Sequence, residues 1–298
     1  MAKSNIPGIN TVQKTDLPVL KPYFSRGFIG SDPVGFARWI ASIHPGAILL
    51  LLAIIFLWPM SALASTGYTY GQAVQALFKW MPFLLTSGFL FNVIISVLTM
   101  LIGTVAGVML GLAQISPLAI VRTPAKIMTQ LFRNSPWLVV LFIVLLAFPF
   151  EIVIGGYIIS IPDWMKAVFG LSLPIMANVS EVVRGGVQSV ASGQWEAAES
   201  LAYTRRQTLW QVILPQCFKR MIPPWMNWYA ILTMATPMCT LLGVEEMITL
   251  SRQAIEAENN KPELLVPFYS FALLVFFAYC YPIARITIAL ERRYAVKL

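Results

Sequence analysis

The chain has 298 residues, of which 58% are hydrophobic and only 11% are charged, and its mean hydropathy is +0.73. Soluble domains carry roughly a quarter charged residues, so this composition indicates an integral membrane protein. The net charge of +8 does not indicate nucleic-acid binding, because the basic residues stand at the ends of apolar runs, as membrane topology requires. Three scattered cysteines and a single histidine, His44, exclude a metal site built on several histidines. The sequence also lacks a G-x-x-x-x-G-K-[ST] run, so we expect no P-loop ATP site in this chain.

The first 45 residues contain proline, glycine and basic residues without helical periodicity, and we expect a cytoplasmic arm; a disordered tail is the alternative. About twenty apolar residues cross a bilayer. The runs that meet or nearly meet this length are 46–64, 84–114, 136–155, 165–183, 222–244 and 265–287. The sequence therefore predicts an all-α, polytopic membrane helix bundle with about six transmembrane helices and a cytoplasmic tail, 291–298. The run 84–114 is too long for one perpendicular helix, so its first residues should lie in the interface or the helix should tilt.

The second run carries three glycines on one helical face, Gly103, Gly107 and Gly111. Small residues at this spacing let two helix backbones approach closely. The stripe predicts either a subunit interface or packing inside the bundle.

The basic residues divide unequally between the two sides of these predicted spans. Of the 21 lysines and arginines, all but four fall on the side of the N-terminus, and the four exceptions are Lys79, Lys166, Arg252 and Lys261. Positive residues favour the cytoplasmic side. Both termini and the segment 192–216 are therefore predicted to be cytoplasmic, while seven acids fall on the outer side.

Residues 192–216 form a charged segment between apolar runs. Ser192 and Gly193 are predicted to cap a helix with Glu196 in its first turn, and Thr204 and Gln207 to form a capping box for a second helix that Pro215 ends. A segment this short cannot bury a core of its own. We expect this helix pair to dock against another protein; the alternative is that it folds back on the membrane ends of its own chain.

The same segment carries a resemblance. "EAAESLAYTRRQTLWQVILP" is similar to the EAA loop of ABC importer permeases, with Glu196, Ala197, Ala198, Leu214 and Pro215 matching and Ala202 in place of a glycine at the bend. "SEVVRGGVQSVASGQWEAA" and "FRNSPWLVVLF" resemble segments of the polar amino acid permeases. The resemblance covers roughly residues 80–290. It implies the five-helix core of an ABC importer, with the helix 46–64 as an addition.

The resemblance also implies a division of labour. Two permease subunits, identical or paralogous, would form a path through the lipid membrane, and a periplasmic or extracellular substrate-binding protein would deliver the solute. A cytosolic ATPase dimer would bind ATP and magnesium and grip the EAA helices, and no nucleic acid is involved. The residues predicted to contact or orient the ATPase subunits are Gln194, Glu196, Ala197, Ala198, Leu201, Ala202, Arg205, Arg206, Leu214 and Pro215.

Polar residues within the predicted spans are candidates for the transport path or its gate, because they are costly in lipid. Asn178, Glu181 and Arg184 recur at a spacing that places them on one helical face. A local ion pair between Glu181 and Arg184 that tethers the end of the span is the alternative. Asn227 and Thr236 are further path candidates, with hydrogen bonds between packed helices as the other interpretation.

The predicted solute is a polar amino acid or an amino acid derivative. Members of the resembled family commonly carry a charged K-D-T-S-L segment in the fifth span, where this chain has Met234, Ala235 and the helix-breaking Pro237. This departure leaves open an opine, another small polar solute, or a paralogous partner that supplies the ligand contacts. A secondary transporter or channel, a membrane enzyme and a membrane scaffold or receptor are the alternatives from other classes.

Overall fold

The computed structural model describes residues 69–154 and 156–294. The predicted arm 1–45, the predicted span 46–64 and the last four residues of the predicted tail lie outside the described residues. The elements are, in chain order, α1 (Tyr70–Phe83), a first π-helical turn (Leu84–Phe89), α2 (Leu90–Gln114), α3 (Ala119–Asn134), α4 (Trp137–Ala147), β1 (Glu151–Ile154), β2 (Tyr157–Ser160), α5 (Asp163–Gln188), α6 (Ser192–Ser200), α7 (Arg205–Gln207), a second π-helical turn (Thr208–Ile213), α8 (Leu214–Ala235), a 3₁₀ helix (Thr236–Leu242), α9 (Met247–Ala257), a second 3₁₀ helix (Pro262–Leu264) and α10 (Leu265–Tyr294).

Helices dominate the described residues, as the sequence predicts. Three of them are long and apolar enough to cross a membrane: Tyr70–Gln114, Asp163–Gln188 and Pro262–Tyr294. Two bent helix pairs, Ala119–Asn134 with Trp137–Ala147 and Arg205–Leu242 with Met247–Ala257, raise the number to five if each pair is one span. That upper number is the size of the predicted core.

The first described span is longer than the run 84–114 predicts. Tyr70–Gln114 is a helical segment of 45 residues, about 68 Å at 1.5 Å per residue, whereas the hydrocarbon layer is about 30 Å thick. Part of this helix must therefore lie outside the hydrocarbon layer or the helix must tilt. Pro82 stands just before the first π-helical turn, as expected for a residue that lacks the N–H of a regular helix.

The predicted span 136–155 is wrong in its second half. Helix α4 ends at Ala147, and Glu151–Ile154 pairs antiparallel with Tyr157–Ser160. Pro149 forces Phe148 into an extended conformation, with ψ at 135°, and Gly156 has a φ of 86° in the turn between the strands. Two short runs rich in β-branched residues around a Gly-Gly pair are typical of a hairpin. Because these runs are also apolar, a count of apolar residues places them in a membrane span.

The glycine stripe is a packing surface inside this chain. A Cβ atom added to Gly103, Gly107 or Gly111 would lie 2.5–2.7 Å from Ile175, Val179 or Val183, respectively. All three contacts belong to α5, so of the two predicted uses the structure supports packing within the bundle. Because the partners ascend together in number, α2 and α5 run in the same direction.

The largest buried cluster surrounds this helix contact and extends to α8 through Leu232. The predicted break at Pro237 is confirmed, since α8 ends at Ala235 and the chain continues as the 3₁₀ helix Thr236–Leu242. Gly243 then adopts a φ of 81° and lets the chain turn toward α9.

Candidate functional site

The helix pair 192–216 is joined by a tight turn at Ala202. Helix α6 ends with two backbone hydrogen bonds, from Ala202 N to the oxygen of Glu199 at 2.9 Å and from Tyr203 N to the oxygen of Ala198 at 3.1 Å. This is a Schellman motif, which requires a left-handed residue at the position of Ala202. Its φ is 56°. The alanine thus keeps the backbone angles that the family's glycine would supply, at a strain of about 1–2 kcal/mol.

The start of the second helix is as predicted. Gln207 N donates to Thr204 Oγ1 at 3.4 Å, and Thr204 N donates to Gln207 Oε1 at 2.9 Å, which completes the capping box. Two local predictions are wrong. Helix α6 begins at Ser192 after Ala191, so Glu196 lies beyond its first turn. Pro215 does not end the second helix, because the helical segment that starts at Arg205 continues through the π-helical turn Thr208–Ile213 and past Pro215 into α8.

One face of the helix pair packs on its own chain. Trp195 and Leu209 lie against a buried cluster that includes Val187 and Ile213. Ala198 is only 3% exposed. Of the two predicted roles, contacting or orienting the ATPase, burial of this side chain inside the fold leaves Ala198 only the second. The alternative of folding back on the membrane ends holds for this face.

The other face is open. Leu201 is 70% exposed, and the remaining exposed candidates are Gln194, Glu196, Ala197, Ala202, Arg205, Arg206 and Pro215. Gln216 donates to Gln194 at 3.0 Å and so links the two helices. Leu214 is half-buried beside the apolar cluster. Leu201 thus stands exposed on a turn that is held by its own backbone hydrogen bonds.

Glu181 and Arg184 form the local ion pair that the sequence left as an alternative. Arg184 Nη2 lies 2.6 Å from Glu181 Oε2, and Arg133 of α3 lies 3.4 Å from the same oxygen. Arg184 also donates to Gln188 at 2.9 Å. The contact between Arg133 and Glu181 joins α3 to α5, which favours a structural role for the ion pair.

The other path candidates are divided by burial. Asn178 is buried and donates to the oxygen of Pro174, within its own helix, at 2.8 Å. Thr236 is buried and accepts from Asn92 at 2.9 Å. Asn227 is exposed on α8. The structure does not bring these three residues together, and among the described residues no group of His, Cys, Asp and Glu could hold a metal ion.

Residues 103–296 match the family described as binding-protein-dependent transport system inner membrane component. The chain is 33% identical over 205 residues to the probable amino-acid ABC transporter permease protein YckA of Bacillus subtilis. This match covers 69% of this chain and 86% of YckA. The chain is 28% identical over 210 residues to the L-cystine transport system permease protein TcyB of Bacillus subtilis, covering 70% and 86%. A crystal structure of an amino acid ABC transporter with histidines superposes with a TM-score of 0.62 at 23% identity, covering 74% of this chain and 97% of that one.

The chain belongs to this family. It is a permease subunit of an ABC importer and a multi-pass inner membrane protein. It is a transport subunit and not an enzyme, since ATP hydrolysis in this family resides in a separate subunit. Membership also implies a substrate-binding partner.

The permease contains a buried polar network that sequence reasoning missed. Glu246 is fully buried and accepts from Asn92 at 3.0 Å and from the backbone N–H groups of Ile248 and Thr249 at 3.0 and 2.9 Å. The Thr240 hydroxyl donates to the same carboxylate. Glu246 is one of the seven acids on the outer side of the predicted topology, and nothing in its local pattern distinguishes it from its neighbour Glu245.

The end of the permease where α2 and α5 begin holds a cavity of about 470 Å³, lined among others by Ser87, Asp163 and Glu245. Nearby, Lys166 is 1% exposed. Its ammonium lies 3.2 Å from Asp163 Oδ1 and 3.4 Å from the centre of the Phe150 ring. Lys166 therefore ties the start of α5 to the residue that precedes the hairpin.

Proposed function

We propose that this permease moves a polar amino acid or an amino acid derivative inward, and that the exposed face of the helix pair 192–216 docks the ATPase subunits. The observation that carries the docking proposal is the division of the helix pair into two faces. Trp195 and Ala198 pack inside the chain's own fold, whereas Glu196, Ala197 and Leu201 are exposed. ATP and magnesium would be bound by the docked subunits, and their closure would move the helix pair as a lever.

The proposed orientation places both termini and the helix pair in the cytoplasm. It is supported by the excess of basic residues on that side. The parallel course of α2 and α5 agrees with the predicted topology, in which both helices cross in the same direction, while the choice of that direction rests on the charge bias alone. A broken span, α3 with α4, returns the chain between them.

The solute class rests on the names of the relatives, which include an amino-acid permease and an L-cystine permease. Asn178 and Thr236 are not proposed as ligand contacts, since their side chains are buried and bonded within the fold. Met234 and Asn227 are exposed in the second half of α8, and we assign them to a path between two permeases. Because this helix lacks the charged residues of the K-D-T-S-L segment that the resembled family commonly carries, we infer that the partner permease supplies the charged contacts to the solute.

The docking proposal is tested by replacing Glu196 with lysine and Leu201 with aspartate. Each variant should still insert, but should lose co-purification of the ATPase subunit and solute-stimulated ATP hydrolysis. Glu256→Lys is the matched control, since Glu256 is an exposed acid outside the helix pair whose ion pair with Arg252 is about 60% exposed and contributes little. Normal ATPase association in both helix-pair variants would reject the docking surface.

A further inference from the structure

The concave side of the helix pair faces a basic cavity, here called the inner cavity, of about 860 Å³. Five cationic side chains line it: Arg122 and Lys126 of α3, Arg184 of α5, and Arg205 and Arg206 of α7. They come from three separate parts of the chain. Their convergence on one concave surface is more than an excess of positive charge along a membrane face.

The inner cavity has little negative charge to balance these cations. Its described lining contains no aspartate or glutamate. Arg184 is paired with Glu181, but the other four cations form no ion pair with any residue that the structure describes. Like charges around one cavity repel each other, and an anion bound there would relieve that repulsion.

An apolar groove of about 620 Å³ continues from the inner cavity along the same helices. Leu112 of α2 lines both spaces, and along α5 the lining passes from Val183 in the groove to Val187 in the cavity. Trp210 and Phe218 line the groove on the side of α8 and the turn before it. Its walls are almost wholly apolar and come from the candidate spans Tyr70–Gln114 and Asp163–Gln188 and from the helical segment Arg205–Leu242.

We propose that the inner cavity and this groove together bind an anionic phospholipid of the inner leaflet, with the phosphate among the four unpaired cations and an acyl chain along the groove. A basic pocket between helices at the cytoplasmic side suits a lipid phosphate, and the adjoining groove distinguishes a lipid from a free anion. The site lies on the side of the helix pair where Trp195 and Leu209 are packed. Arg205 and Arg206 line it, so we assign these two exposed arginines to the lipid and leave the ATPase face to Glu196, Ala197 and Leu201. This inference rests on the orientation given under the proposed function.

The lipid would tie α3 to the helix pair. Arg122 and Lys126 belong to α3, whereas Arg205 and Arg206 begin the second helix of the pair. A phosphate held by both sets would restrain the movement of the lever relative to the spans. Coupling should then depend on the lipid composition of the inner leaflet.

The test uses the full transporter, with its ATPase and partner permease, reconstituted in vesicles of phosphatidylcholine alone or mixed with phosphatidylglycerol. The variant is the double substitution Arg122→Gln with Lys126→Gln, which leaves the ATPase face untouched. Native mass spectrometry should show phosphatidylglycerol retained by the wild type and about tenfold or more weaker retention by the variant. Phosphatidylglycerol should stimulate transport by the wild type more than by the variant.

Two controls make the result specific. Arg292→Gln with Arg293→Gln removes the same charge from the exposed last turn of α10 and should leave lipid retention unchanged. Arg122→Lys with Lys126→Arg keeps the charge and should restore retention, which separates lipid binding from a folding defect. Equal lipid retention in the wild type and the glutamine variant would overturn the proposal. A glutamine variant that loses the ATPase subunit but still retains the lipid would also overturn it. So would a wild type in which inorganic phosphate alone reproduces the effect of phosphatidylglycerol. Normal ATPase association in the Glu196→Lys and Leu201→Asp variants would instead reject the proposed function.

Discussion

Asn92 in α2 and Glu246 at the start of α9 hold each other in a two-sided contact. The Asn92 amide donates to Glu246 at 3.0 Å, while its oxygen accepts the backbone N–H of Met247 at 3.0 Å. Both side chains are fully buried. Because the carboxylate also caps α9, this contact links the first described span to the start of α9.

Exchanging the two groups should test this contact. Asn92→Asp would place a second carboxylate beside Glu246 without a donor between them, and we expect a loss of about 3 kcal/mol or more of stability. Glu246→Gln on that background restores an amide and a carboxylate in reversed order. Thermal unfolding should show most of the loss recovered in the double variant. If the double variant loses as much stability as Asn92→Asp alone, or more, the two side chains do not interact.

The close approach of α2 and α5 should depend on the absence of a side chain at Gly107. An added Cβ would lie 2.7 Å from Val179 Cβ and 2.8 Å from the oxygen of Met176, so Gly107→Ala should destabilise the permease by about 1–3 kcal/mol. Gly185→Ala is the matched control, because nothing lies within 4 Å of its added Cβ and a helical alanine is favoured over glycine. Size-exclusion profiles recorded after heating will compare the thermal stability of the two variants. A Gly107→Ala variant as stable as the wild type would contradict the close packing of α2 and α5.

The left-handed turn at Ala202 should be relieved by glycine. Ala202→Gly removes a strain of about 1–2 kcal/mol, against an entropic cost of roughly 0.5–1 kcal/mol, so the turn should open a few times less often. Ala202→Val should have the opposite effect, because a β-branched residue tolerates a positive φ poorly. Limited trypsin cleavage after Arg205 and Arg206 reports the opening. Faster cleavage in the glycine variant than in the wild type would refute the prediction.

The contact between α1 and the turn after α9 should weaken in acid. Lys79 and Trp80 donate to Glu258 at 2.8 and 3.0 Å and hold the pKa of this carboxyl below its ordinary value of 4.5. A lowered folded-state pKa means that the contribution to stability is present above the ordinary value and is lost as the pH falls through the folded-state pKa. After correction for the intrinsic exchange rate at each pH, hydrogen-exchange protection around Lys79 and Trp80 should therefore fall in this acid range.

The matched variant for this pH effect is Glu258→Gln, which should exchange faster at neutral pH and show less change on acidification. Glu256→Gln, at an exposed acid two residues away, should behave like the wild type. An unaltered acid response in Glu258→Gln would assign the effect to another group.

The amino-acid sequence by itself determined the features that depend on neighbouring residues. The membrane class follows from composition, the capping box at Thr204 from a spacing of three residues, and the helix break near Pro237 from a missing N–H. The helix pair 192–216 was also predictable, because its charge interrupts the apolar pattern. The hairpin that replaced half of the run 136–155 had a local signal as well, in Gly156 and the β-branched residues beside it.

Only the tertiary structure decided which faces are covered. Gly103, Gly107 and Gly111 are the same stripe whether they pack on α5 or on another subunit, and the choice depends on Ile175, Val179 and Val183, about 70 residues away. Ala198 and Ala197 are adjacent and alike in sequence, yet one is buried and the other exposed. Glu245 and Glu246 are likewise neighbours, but only Glu246 meets Asn92. Burial is a property of contacts between distant segments, and a pattern of near neighbours carries no record of those contacts.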